Sequence, residues 1–409
     1  MRVKVHLRAA VLATWNLIAP FTLSTILLVG GAAVMMLGAS VSWAQNTPLP
    51  LGTVTQFTMV SPCPAGRHGS MPLSQAVCYT ATVDNCPSHQ LGVTIPPLNA
   101  TVAISTPTNW KNGTIFLHGG GNGEDYFDAK PGTGMSVSYA NQYYNAGFQV
   151  VQIAWAGDWS NNSNNPAVKV MKYDACRPAT ILNYVYTNVH GGATSGAMCA
   201  QGHSAGSAAM AYALSWYGAS SYLNNVVLTS GPVYANIEGG CQYPYSSQFQ
   251  NPITVCPSGQ LGCIGSSWTD FVQYLNDGTS KTVAQNTNQP PGNCNNYNGS
   301  GTATTSYDQN WHAMSIVASG ANYSYPNTSL SAFLCATGQS QNNSAGQGQL
   351  FYKNFTSISQ TLNYAVYRVD GCGGSEKIWD GTTSDGSSAF TVSADAMINR
   401  CNKPVSGQP

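Results

Sequence analysis

Gly202-His203-Ser204-Ala205-Gly206 sets a serine between glycines directly after an apolar run, the spacing of a nucleophile elbow. Upstream, His118-Gly119-Gly120-Gly121 follows a second apolar run, Thr114-Ile115-Phe116-Leu117. A Gly-rich loop after an early strand offers backbone N–H groups to an oxyanion, and beside an elbow serine it points to acyl transfer. His203 and His118 are adjacent to this chemistry in sequence only. The elbow turns the His203 ring away from the serine hydroxyl, and His118 is placed to hold its own loop.

The elements needed to position these residues are legible in the chain. From Thr101 onward, short apolar runs alternate with helix-length segments, the pattern of an α/β sheet. Strands are expected at Thr101 to Ser105, Thr114 to Leu117, Phe148 to Ala154, Ala197 to Gln201, Asn225 to Thr229, Leu330 to Ala336 and Leu362 to Val369. Helices are expected at about Asp174 to Thr187, Ser207 to Tyr217 and Val392 to Arg400. The second helix is rich in Ala and Met and follows Ser204 at once, so strand, tight turn and helix occur in the order an elbow requires. Its N-terminus would face developing negative charge.

Over roughly Thr101 to Cys401 the chain resembles the α/β-hydrolase superfamily, and within it secreted carboxylic-ester hydrolases such as esterases and polyester depolymerases. The resemblance implies a mostly parallel sheet flanked by helices, with Ser204 as nucleophile. It implies too that the Ala205 N–H and one or more N–H groups of Gly119, Gly120 and Gly121 hold the oxyanion. The superfamily orders its triad as serine, acid, histidine. Here the acid's place reads Thr337-Gly338-Gln339-Ser340-Gln341-Asn342, and the histidine's place reads Asp370-Gly371-Cys372-Gly373-Gly374-Ser375-Glu376.

Three readings follow. His312, the one histidine after Ser204, serves as base, oriented by Asp308 one helical turn before it or by another carboxylate. Alternatively Glu376 or Asp370 acts as base, which requires a carboxyl raised by burial. In the third, the scaffold has lost hydrolysis and binds without turnover.

Composition bounds the partners. Of 409 residues, 43% are hydrophobic and only 7% charged, so the surface is polar through hydroxyls and amides. Arg2, Lys4 and Arg8 precede an uncharged apolar stretch from about Ala9 to Val41, and Ser42-Trp43-Ala44 resembles a cleavage site. Residues 1–44 therefore read as a signal peptide, or as an N-terminal anchor if retained, since roughly 20 apolar residues suffice to span a bilayer. Without them, 12 basic residues face 15 acidic ones, a balance that disfavours nucleic acid. A membrane enters only through an uncleaved N-terminus.

Twelve cysteines, all after the targeting segment, read as disulfides in a secreted or periplasmic protein. With no Cys-x-x-Cys pair, zinc is disfavoured, and no cofactor is implied. Nearness in sequence suggests Cys78 with Cys86, Cys256 with Cys263 and Cys372 with Cys401. Residues 45–100 read as a stapled N-terminal β region joined to the core, and residues 101–401 as the α/β domain. An insertion at about 239–307 breaks the rhythm and is either a lid or a surface excursion. The expected function is a serine hydrolase acting on an uncharged small-molecule or polymeric ester; the alternative is a non-catalytic surface protein.

Overall fold

In the computed structural model the described residues are 47–87, 95–110, 113–127, 138–160, 171–192, 196–237, 313–335, 347–348, 350–352, 364–372 and 377–401. The expected insertion at 239–307, the suggested Cys256–Cys263 pair and the N-terminal 44 residues lie outside them. Asn46–Pro409 forms one unit and Met1–Gln45 another.

The apolar runs form the strands β1 (Thr53–Val60), β2 (Val77–Asp84), β3 (Leu98–Ser105), β4 (Thr114–His118), β5 (Gln149–Trp155), β6 (Met198–His203), β7 (Asn225–Thr229), β8 (Ser329–Cys335), β9 (Tyr364–Asp370) and β10 (Thr382–Thr383). Their helices are α1 (Tyr139–Asn145), α2 (Cys176–Tyr184), α3 (Ala205–Trp216) and α4 (Ala389–Cys401). The strands make one sheet in the order β1-β2-β3-β5-β4-β6-β7-β8-β9-β10. β5, β4, β6, β7, β8 and β9 run parallel, while β1 to β3 and β10 are antiparallel additions at the two ends. A mostly parallel sheet in this order, with an elbow serine after β6, is the α/β-hydrolase architecture.

Helices cover both faces, and this explains why β4, β5 and β7 are buried along their whole length. α2 and α3 pack on one face with Phe116, Val151 and Ala200, while α1 and α4 pack on the other with Ile115, Leu117 and Cys199. β1, at the edge, is exposed along most of its length and half-buried only at Val54, Phe57 and Val60.

The chain leaves β4 for β5 on one side and returns to β6 on the other, so the gap between the C-terminal ends of β4 and β6 is a topological switch point. Open α/β sheets bind their ligands there. Parallel register sets His118 level with Gly202 and brings both glycine motifs to this gap.

Eight cysteines of the described residues pair as Cys63–Cys78, Cys86–Cys176, Cys199–Cys401 and Cys335–Cys372. Nearness in sequence misleads twice. Cys78 and Cys86 lie at opposite ends of extended β2, where a rise of about 3.3 Å per residue separates them far beyond bonding reach. Cys372 follows the C-terminal end of β9 and meets Cys335 at the end of β8. Cys401 ends α4 beside Cys199, near the start of β6. Four such bonds belong to an oxidising compartment. Among the described residues no helix is long and apolar enough to cross a membrane.

Candidate active site

β6 ends at His203 and α3 begins at Ala205, leaving Ser204 to make the whole turn at φ 52° and ψ −118°. This is a strained backbone for a residue with a Cβ, and the surroundings enforce it. The Ser204 N–H donates to the Thr229 carbonyl of β7 at 2.9 Å. The Ser204 carbonyl accepts from the Ser207 N–H at 2.9 Å, the Ser207 hydroxyl at 2.5 Å and the Ala208 N–H at 3.2 Å.

The flanking glycines are there because backbone passes where side chains would be. A Cβ on Gly202 would meet the Gly206 carbonyl and, at 2.7 Å, the Ser207 Cα. One on Gly206 would strike the carbonyl oxygens of His118 and Gly119. Gly120 closes the arrangement, since a Cβ there would lie 3.1 Å from the Ser204 Cβ and 3.2 Å from the His203 carbonyl. The loop Gly119 to Gly121 thus rests directly on the elbow, and Gly121, at φ 60°, has open space around it.

His118 is fully buried beneath this loop. Its Nε2 accepts from the Trp155 indole N–H at 3.0 Å, so the ring proton sits on Nδ1 and is donated to the Gly119 carbonyl at 2.9 Å. Burial drives its pKa down to about 4, against the opposing hydrogen bond to Gly119. With both nitrogens engaged, His118 fixes the loop and accepts no proton from Ser204. His203 is half-buried, its Nδ1 lying 3.2 Å from the Thr229 hydroxyl. That hydroxyl donates to the Gly202 carbonyl at 3.1 Å, so Nδ1 is the donor to Thr229. The ring lies between Phe127 and Trp379, with centroids 6.4 and 5.0 Å away.

Of the residues singled out in the sequence, Ser204, Ala205, Gly119, Gly120 and Gly121 come together. His312, Asp308 and Glu376 lie outside the described residues, as does Thr337 to Asn342. Asp370 is not the buried carboxylate that a base at this position requires: it is 46% exposed and its Oδ1 sits 3.0 Å from both Nε and Nη2 of Arg368. Among the described residues the Ser204 hydroxyl has no hydrogen-bond partner, and no three His, Cys, Asp or Glu side chains are grouped to hold a metal ion.

Three contributors escaped sequence reading. Phe127 and Trp379 flank His203, and Asp125 lies against Gly119. A tryptophan just past the last long strand was the one usable signal. Cys335–Cys372 joins the ends of β8 and β9.

No protein-family model matches the chain, and no curated protein matches it. Solved structures that align with it include carboxyl esterase 2 from the mycorrhizal fungus Tuber melanosporum, at 13% identity and TM-score 0.40 over 85% of this chain and 93% of that one. Candida antarctica lipase A in its closed state aligns at 12% identity and TM-score 0.43 over 88% and 85%. Brefeldin A esterase, a bacterial homologue of human hormone sensitive lipase, aligns at 12% and 0.42 over 94% and 88%.

Proposed function

We propose that the chain is an exported serine hydrolase that cleaves a carboxylic ester through an acyl-enzyme on Ser204. The observation that carries this reading is the seating of Gly120 on the Ser204 Cβ at the N-terminus of α3. In the first half-reaction the Ser204 oxygen attacks the ester carbonyl carbon, its proton passes to a base, and the carbonyl oxygen becomes an oxyanion. The Ala205 N–H and N–H groups among Gly119 to Gly121 receive that charge, reinforced by the positive end of α3. Collapse expels the alcohol with the proton. Water then gives its proton to the base and attacks the acyl carbon, and collapse releases the carboxylic acid as the base returns that proton to the Ser204 oxygen.

The base is His312, oriented by Asp308, or else Glu376. The aromatic rings beside His203 favour an uncharged ester, small or polymeric. Export is supported by the targeting segment and the disulfides.

Turnover of short acyl esters tests the assignment. Ser204→Ala should abolish it, and either His312→Ala or Glu376→Gln should lower kcat by about 10²- to 10⁴-fold. Full activity in His312→Ala removes the histidine route, and full activity in both removes both bases. A second reading, a non-catalytic binding protein, is favoured by the sequence of Thr337 to Asn342 and Asp370 to Glu376, neither of which contains a histidine. It would be upheld by wild-type protein that turns over no ester.

A further inference from the structure

In a protein with only 7% charged residues, Arg67, His68, Glu124 and Asp125 gather beside the Gly-rich loop. The turn Pro64 to Ser70 is joined to Glu124-Asp125-Tyr126 residue by residue. The Arg67 N–H donates to the Glu124 carbonyl at 3.0 Å, and its guanidinium to the Glu124 carboxylate at 2.5 Å. His68 donates to Asp125 twice, from its N–H at 2.9 Å and from Nδ1 at 2.6 Å. The Ser70 hydroxyl donates to Asp125 Oδ1 at 2.9 Å and accepts from the Tyr126 N–H at 3.1 Å. The Tyr126 hydroxyl reaches the Pro64 carbonyl at 2.9 Å.

Two features show that the turn is built to take this segment. A Cβ on Gly66 would lie 2.9 Å from both Asp125 Oδ1 and the Glu124 carbonyl, so only glycine admits them. Cys63–Cys78 ties the start of the turn to β2. Burial raises the Asp125 carboxyl, but the bonds from His68 and Ser70 outweigh it and hold the pKa below the usual carboxylate range.

The other side of the same residue faces the candidate site. A Cβ on Gly119 would lie 2.7 Å from the Asp125 carbonyl oxygen, and the next residue, Gly120, rests on Ser204. We infer that Asp125, clamped by His68 and Ser70, is a positioning residue that presses Gly119 to Gly121 against Ser204 and so keeps their N–H groups where an oxyanion forms. The inference rests on the reading of Ser204 as an acylated nucleophile.

Asp125→Ala and Asp125→Asn, made in the full chain, test it by ester kinetics and by hydrogen exchange of segment 118–127. Misplacement of the loop by about 1 Å should lower kcat of Asp125→Ala about 10- to 100-fold, with KM changed less than about twofold. Exchange should quicken in segment 118–127 and stay unchanged in α3 and α4. Asn keeps an acceptor for the His68 and Ser70 donors and should recover most of the kcat. If Asp125→Ala does not fold, Ser70→Ala removes one of the three bonds and should show a smaller loss of the same kind. Unchanged exchange at 118–127 overturns the inference, as does a kcat loss that Asn fails to recover. Absence of turnover in the wild type refutes the hydrolase reading instead, and the exchange comparison still decides whether Asp125 holds the loop.

Discussion

Gly206 determines how closely α3 can approach the Gly119 to Gly121 loop, because the His118 and Gly119 carbonyls occupy the place of its missing side chain. Gly206→Ala must push the loop and helix apart, which costs about 1–3 kcal/mol by overpacking and displaces the loop donors. Esterase kcat should fall about 100-fold while the protein still melts cooperatively; wild-type kcat in this variant would mean that the contact is irrelevant to turnover. His118 supplies a pH signature. Its folded pKa of about 4 lies below the ordinary histidine value, so the unfolded chain takes up a proton first as pH falls. The stability it contributes is complete above about pH 6.5 and disappears as pH drops toward 4, a difference of about 3 kcal/mol. His118→Asn should flatten the melting temperature in that window relative to wild type, and parallel pH curves would refute the account. The turn at Ser204 and the glycines packed around it were legible in the sequence because they depend on backbone and spacing. The base was not, because Thr337 to Asn342 and Asp370 to Glu376 contain no histidine.

At the level of elements, the runs centred on Ile115, Val151 and Val226 were readable as strands because burial on both faces demands unbroken apolar sequence. α1 was missed: its apolar face consists of Tyr139, Ala140 and Tyr143 among amides, and tyrosine spacing is a weak signal in so polar a window. The cysteine pairs were not readable either, since strand order rather than sequence distance decides which sulfurs meet. Cys199–Cys401 ties the start of β6 to the last helix across 202 residues. Replacing both cysteines by alanine should destabilise the fold by about 2–5 kcal/mol, lowering the thermal midpoint by several degrees. An unchanged midpoint would show that the bond adds nothing to stability.

At the scale of the molecule, the reversal of chain direction about β4 gathers two glycine motifs, some 80 residues apart in sequence, at a single gap in the sheet. The antiparallel strands β1 to β3 widen the sheet on one side, and the turn between β1 and β2 brings Asp125 its clamp. A frame held by disulfides suits an oxidising compartment. The proposed function rests on Ser204 as a nucleophile. The most direct test is covalent labelling with a fluorophosphonate, read by intact mass and peptide mapping. One adduct per chain is expected, on Ser204, absent from Ser204→Ala and from heat-unfolded protein. No adduct on folded wild-type protein, or equal labelling of Ser204→Ala, would contradict it.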